Sequence, residues 1–540
     1  MKNSSPRSHL ATHEVFNQPG QRGERDFWAQ DPALICHAGA AGADIAHLAG
    51  YGAKLGNVAL RDAARDANRH TPELISFDTG GRRLDEVRFH PGYHQLMQIG
   101  IGAGYASIAW EGRLGGHASH AAMVYLTSQV EPGVCCPMTM TYAAIPALKA
   151  DKSLFDAWAP KLISRVYDGA PKPLARKPGV TMGMAMTEKQ GGSDIRANTT
   201  RAERDGPHYR LTGHKWFCSA PMSDGFLTLA QAPEGLTCFL VPRWLEDTRN
   251  AIHIQRLKEK LGNRANASAE IEYHNARAHR LGDEGAGVRT IIEMVHHTRL
   301  DTAMAPAGLM RAALDHAHHW AQHRTAFQKQ LIDQPLMRNV LADLTLDWEG
   351  TLALGCHVAS AFDGKTDRDR AFARLAVALA KYLGNKLCPG LVYEAMEAIG
   401  GAGYVEESGL PLLYREAPLN SIWEGSGNVI CLDVLRTLKR EPLAGEVLSE
   451  ELGKAAGQVR RFDVAMKAHM ERFPKLPDEG QARWYVESLA TLLTASVLIR
   501  HAPPAVSEAY VATRLSGERG RTAGAIGAVD LGGVLSRLGD

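Results

Sequence analysis

No stretch of these 540 residues approaches the roughly 20 consecutive apolar positions that a membrane-crossing helix needs. The first twenty residues also lack the apolar core of a signal peptide, so the chain reads as soluble and cytoplasmic. Neither sign of charge dominates. Lys and Arg number 61 against 59 Asp and Glu, a formal +2, so attraction to nucleic acid or a membrane has to come from local clusters. Eight cysteines are scattered without a CxxC pair or a metal-ligand spacing, as in a reduced intracellular protein. Also missing are a GxxxxGK string followed by Ser or Thr, and GxSxG; support for nucleotide hydrolysis and for a serine-esterase elbow goes with them. The glycine-rich run Gly100–Gly104 lacks the spacing and the preceding strand of a nicotinamide-binding turn. His316, His319 and His323 share a helix face but have no acid or thiol beside them, so no metal is expected.

What is present is a chain of ordinary globular composition, 45% apolar and 22% charged, long enough for three or four domains at about 150 residues each. Residues 1–25 are polar and aperiodic, an extended arm. Segments such as HAAMVYLTSQV place apolar residues three and four apart, which predicts amphipathic helices through an N-terminal domain of residues 1–180. After the Pro- and Lys-rich PKPLARKPG, short alternating runs separated by turn residues predict a β domain, 181–287. Helical period returns in a bundle, 288–440, and continues in a C-terminal helical domain, 441–540. The fold class expected is therefore mainly α with a middle β domain.

Three strings at the joints between these regions can carry chemistry. Met184-Ala-Met-Thr-Glu-Lys-Gln-Gly-Gly-Ser-Asp194 runs from an apolar stretch into a turn whose backbone N–H groups and hydroxyls can hold a phosphate or a ring carbonyl. Gly213-His-Lys-Trp-Phe-Cys-Ser219 reads as a short strand starting after a turn, with Phe217 and Ser219 on one face and Trp216 and Cys218 on the other. Gly400-Gly-Ala-Gly-Tyr404, Arg415-Glu-Ala417 and Ile422-Trp-Glu-Gly-Ser-Gly-Asn428 follow in order, and Glu424 lies between an indole and a Gly-rich turn, where an apolar setting makes a carboxylate a stronger base. Each string alone is equally a surface turn, an aromatic core strand or the acidic start of a helix.

Together the strings resemble the acyl-CoA dehydrogenase family over most of the chain. The first is similar to its Thr-Glu-Pro-x-Ala-Gly-Ser-Asp flavin motif, the second to Gly-x-Lys-x-Trp-Ile-Thr, and the third to Gly-Gly-x-Gly-Tyr, Arg-Asp-Ala and Tyr-Glu-Gly-Thr; Arg324-Thr-Ala-Phe-Gln328 resembles Arg-x-x-Phe-Gly. Within that family the resemblance is to the branch of the bacterial response to alkylation damage. It is carried by the arm Thr12–Pro19, by Cys136–Tyr142, by Lys189-Gln-Gly-Gly192, by Ser421–Asn428 and by a C-terminal extension.

The resemblance implies a helical domain, a β-barrel domain and a helical bundle plus an extra C-terminal helical domain, assembled as a homotetramer of FAD-containing subunits. It implies FAD contacts from Met184, Ala185, Met186, Thr187, Gly192, Ser193, Trp216, Phe217, Cys218 and Ser219. Glu397, Gly401, Ile422, Trp423, Gly425, Ser426 and Asn428 would add to these, with Arg324 and Phe327 reaching a neighbouring subunit's FAD. Glu424 would be the catalytic base and Arg299 a substrate residue. The segment His296-His-Thr-Arg299 keeps the family's Arg but not the acid that helps hold CoA, and Glu397 stands where the family has a Gln. Two functions follow: a DNA-associated protective flavoprotein with weak dehydrogenase activity toward isovaleryl-type acyl-CoA, which is favoured, and a metabolic acyl-CoA dehydrogenase without DNA binding. The DNA contacts expected are non-specific, to double-stranded DNA, from Arg436, Lys439, Arg440, Arg514, Arg519 and Arg521.

Overall fold

A computed structural model describes residues 6–539. The arm carries no helix between residue 6 and residue 31, and it docks through Arg22 and Arg25, both of which pair with Asp315. Seven α-helices follow: α1 (Pro32–Ala40), α2 (Ile45–Leu55), α3 (Val58–Arg69), α4 (Pro91–Ala103), α5 (Gly116–Ser128), α6 (Cys135–Leu148) and α7 (Lys152–Leu162). Asp31, Asp44, Asn57 and Asp151 start four of them, each accepting a hydrogen bond from an N–H of the first turn. The hairpin of β1 (Glu73–Phe77) and β2 (Arg83–Arg88) interrupts the series and was not expected of an all-helical region. Nor is α5 amphipathic. All of its residues are buried, because its polar side chains find partners inside: the Ser119 hydroxyl donates to Gly115 O, that of Thr127 to Met123 O, and both ring nitrogens of His120 are bonded.

The β domain comprises β3 (Met182–Ala185), β4 (Arg201–Asp205), β5 (His208–Ser219), β6 (Gly225–Ala232), β7 (Gly235–Pro242), β8 (Ile252–Leu257) and β9 (Ser268–Leu281). Pairings β6–β7, β7–β9, β9–β5, β5–β4 and β4–β6 close into a ring, with β3 parallel to β6 and β8 on β9. Its own apolar core includes Leu211, Cys218, Phe226, Phe239, Ile271 and Tyr273.

The bundle is built on three long helices, α8 (Gly287–His323), α9 (Pro335–Asp363) and α10 (Asp367–Ile399), followed by α11 (Leu410–Glu416) and α12 (Gly427–Arg440). A short hairpin, β10 (Thr325–Ala326) with β11 (Lys329–Gln330), links α8 to α9. The last helices are α13 (Pro442–Gly453), α14 (Arg460–Arg472), α15 (Ala482–His501), α16 (Pro504–Tyr510) and α17 (Leu531–Leu535). They are not a detached appendage. α15 packs on α9, α10 and α12, α17 packs on α9, and one apolar core runs from α1 through the bundle to α17. Among the described residues no helix is long and apolar enough to cross a membrane.

Candidate active site

A cavity of about 810 Å³ lies between α8, the β domain and the loop before α12. It brings together Met184, Met186, Thr187, Gly192 and Ser193 from the β3 turn, Phe217 and Ser219 from β5, and Ile422 through Ser426. α8 forms its floor from Val288 to Ala305, eighteen residues or about 27 Å of helix.

The β5 side is set by a bulge. Gly213 does not open this strand; it lies within it at φ 154°, where a Cβ would meet Thr200 at 2.5 Å. Further on, Lys215 pairs with Ile271 and Cys218 with Ala269, so one extra residue is inserted on β5. Lys215 and Cys218 therefore both point into the barrel, while Phe217 and Ser219 reach the cavity. Trp216 lies outside it, with the Lys258 ammonium 3.1 Å from its ring centroid. The buried Lys215 ammonium donates to Glu188 Oε1 and Leu229 O, both at 2.8 Å, and Glu188 also accepts from the Thr199 and Thr200 N–H groups. This ion pair ties the turn after β3 to the strand that carries Phe217. It holds the Glu188 carboxyl down at about 2 despite burial.

Glu424 sits near the middle of the cavity. Its φ of 57° is left-handed, a conformation that non-glycine residues adopt at a cost and that recurs at functional sites. Burial pushes its carboxyl above the ordinary range, against the Thr298 hydroxyl, which donates to Oε2 at 2.8 Å, and against the charges of Lys381 and Arg299. Lys381 donates to Asn420 O and Gly425 O on either side of the loop, and burial pulls its ammonium down to about 7. Trp423 Nε1 donates to Asn420 Oδ1 at 2.8 Å, fixing the indole beside the acid.

Arg299 is placed differently from a free substrate contact. It is buried, donates through Nε to Glu424 O at 3.2 Å and pairs with Asp433 at 2.7 Å, so its charge is met inside the protein. Ala185 and Cys218 belong to the barrel core, and neither they nor Trp216 line the cavity. Glu397, Gly401 and Asn428 are exposed outside it, Asn428 accepting from Arg483 of α15. Arg324 donates to Asn17 O of the arm, and Phe327 projects from the β10–β11 turn at 95% exposure.

Among the residues expected to contact DNA, Arg436, Lys439 and Arg440 are exposed on α12, and Arg521 is exposed. Arg514 and Arg519 are not available for that role. Both bond Asp343 and Asp347 of α9, two acids too deeply buried to be left alone.

Residues that the sequence reading did not single out complete the site. Lys260 and Asn263 line it on the β-domain side; Glu416, from the Arg415-Glu-Ala417 string on α11, lies beside them with its carboxyl raised by burial to about 7. Thr139 and Asp301 line it at the far end.

A helical domain, a closed β domain and a helical bundle around a glutamate on a cavity wall define a class, and the sequence comparisons agree with it. Residues 183–276 match the model of the acyl-CoA dehydrogenase middle domain, 285–439 that of its C-terminal domain, and 17–169 that of the adaptive response protein AidB N-terminal domain. The chain belongs to the acyl-CoA dehydrogenase family, a family of FAD-dependent oxidoreductases. Within it, the chain is 45% identical over 512 residues to AidB of Escherichia coli (strain K12), covering 93% of this chain and 94% of that one. It is 32% identical over 430 residues to acyl-CoA dehydrogenase family member 11 of Caenorhabditis elegans, covering 75% and 69%. The structure of Caenorhabditis elegans ACDH-11 in complex with C11-CoA superposes with a TM-score of 0.85 at 28% identity, covering 96% of this chain and 95% of that one.

The residues present fit a flavin. The cavity joins the hydroxyls of Thr187, Ser193 and Ser219 to the aromatic face of Phe217, and the Asn263 Oδ1 atom on its wall has no partner within the protein. Gly192 also packs so closely that a Cβ there would lie 2.4 Å from Thr187 Oγ1.

Proposed function

We propose that this chain dehydrogenates a short, branched acyl thioester between its α- and β-carbons, weakly, and that it also binds double-stranded DNA without sequence preference in a response to alkylation damage. The observation that carries the first part is Glu424: a half-buried carboxyl on the cavity wall, raised by desolvation and held by Thr298. Its carboxylate takes the α-proton; Thr298 orients it, and the charges of Lys381 and Arg299 favour its ionised form. FAD, when bound, supplies the acceptor for the β-hydride. Thr187, Ser193, Phe217 and Ser219 hold and cover that group from the β-domain side. Thr298 meets Glu424 through one hydrogen bond, so a single acid, oriented by a hydroxyl, serves here.

Weak turnover follows from His296. It occupies the place of the family's CoA-holding acid, but it is half-buried and stacks on Phe362 with ring centroids 4.6 Å apart. The exposed Phe327 hairpin supports completion of each flavin site by a neighbouring subunit in a homotetramer.

The DNA part rests on the likeness to AidB and on Arg436, Lys439 and Arg440, three cations that share the exposed side of α12. The test is to purify the protein with FAD and expose it anaerobically to isovaleryl-CoA. Bleaching of the flavin is expected; a protein that takes up no FAD contradicts the proposal.

A further inference from the structure

The cavity changes character along α8. Towards the β-domain end the helix presents Val288, Ile291 and Val295; beyond Glu424 it presents Thr298, Asp301 and Thr302, facing Thr139 of α6. An acyl chain with its α-carbon at Glu424 and its thioester towards the open mouth near Arg436 and Arg440 has to end in this second region.

We propose that this end is built to receive a hydroxyl group carried near the tip of a short acyl chain, with Asp301 as its acceptor. The inference rests on reading Glu424 as the base. Asp301 is buried, as are the groups that surround it. Its Oδ1 accepts from His120 Nε2 at 2.7 Å, and its Oδ2 accepts from the Thr139 hydroxyl and from Tyr105 OH at 3.4 Å. A carboxylate offers about four acceptor sites, so at least one is left.

The neighbouring hydroxyls have their protons directed elsewhere. Thr139 donates to Asp301, Thr302 to Arg299 O, and Thr298 to Glu424 or Val295 O. The threonine and aspartate oxygens at this end therefore present lone pairs that a ligand donor would meet, while Ser128 and Cys135, on the same wall, bond each other. An aliphatic tip would bury these acceptors against carbon, and desolvated polar groups left unpaired are costly.

His120 Nδ1 lies 2.7 Å from Tyr105 O and Nε2 lies 2.7 Å from Asp301, so Asp301 already takes one N–H donor from inside the protein and has room for one more neutral donor. Reach follows from helix spacing: Cβ atoms three residues apart, as at 298 and 301, lie about 5–6 Å from each other, roughly four covalent bonds. That places the hydroxyl on the fifth carbon of the acyl chain.

The experiment compares 5-hydroxypentanoyl-CoA with hexanoyl-CoA, which replaces the hydroxyl by a methyl, and adds 5-aminopentanoyl-CoA. Turnover is measured with the FAD-loaded protein, and affinity by calorimetry with the Glu424→Gln holoprotein, which binds without reacting. We expect at least a tenfold preference for the hydroxy thioester in both readouts. In the nearly isosteric Asp301→Asn, which turns an acceptor into a donor, that preference should shrink to within about twofold while the flavin spectrum is retained. Equal or better handling of hexanoyl-CoA by the parent protein, or an unchanged preference in Asp301→Asn, overturns the inference and leaves the role of Glu424 standing. A preference for the amine overturns the neutral-donor assignment. If no thioester reduces the flavin and none binds Glu424→Gln, the dehydrogenase reading itself falls.

Discussion

At the scale of single residues, the site depends on how one carboxylate is kept both largely desolvated and usable. Burial raises the Glu424 carboxyl, and the Thr298 hydroxyl opposes it by bonding the ionised form. Glu424 acts as a base only when ionised, so kcat should rise with pH through its raised value and level off above it. In Thr298→Val the opposing hydrogen bond is gone, and the acid limb of the kcat–pH profile should move to higher pH with the plateau little altered. An unmoved limb would mean that Thr298 does not hold the ionised acid. Glu424 and its loop were legible in the sequence because a Glu in a Gly-rich turn after an indole is a local pattern. Thr298 stood in the sequence only as a member of the His296-His-Thr-Arg299 segment. Its contact spans 126 positions of sequence and depends on the tertiary fold.

At the scale of elements, the Glu188–Lys215 pair joins two of the three flavin-facing strings. Both are buried, although charged residues in a turn and on a strand normally read as solvated. Glu188→Gln leaves the Lys215 ammonium buried without its counter-charge, which should cost about 3–5 kcal/mol of stability; urea unfolding of the FAD-loaded protein measures it. A loss below about 1 kcal/mol would show that the pair does not tie the turn to β5. Strand alternation placed Phe217 and Ser219 together, as they are found, but it also grouped Trp216 with Cys218. The bulge after Lys215 separates those two, and nothing in a single sequence marks an inserted residue of that kind. The amphipathic reading of α5 failed for a related reason. Its polar residues are satisfied by distant parts of the chain, Asp301 among them.

At the scale of the whole molecule, the order helical, β, helical was legible from changes in apolar period, and the family resemblance followed from four motifs in register with that order. The character of residues 441–540 was not. Their Arg514 and Arg519 looked in sequence like the basic cluster at the end of α12, yet they join the last helices to α9 whereas Arg436, Lys439 and Arg440 of α12 face solvent. Replacing those three by Glu should weaken duplex binding and flatten its salt dependence, each lost phosphate contact removing about 0.9 from the log–log slope, with thermal unfolding unchanged. Replacing Arg514 and Arg519 together by Ala should do the reverse, lowering stability by about 3–5 kcal/mol by stranding Asp343 and Asp347. Its effect on DNA affinity should be small.

The most direct measurement of the central claim is anaerobic stopped-flow reduction of the FAD-loaded protein by isovaleryl-CoA, comparing the parent with Glu424→Gln. The account predicts flavin bleaching in the parent and a rate about 10²–10⁴ lower in Glu424→Gln, with the oxidised spectrum and the FAD content equal in both. Bleaching at the same rate in both proteins would contradict it.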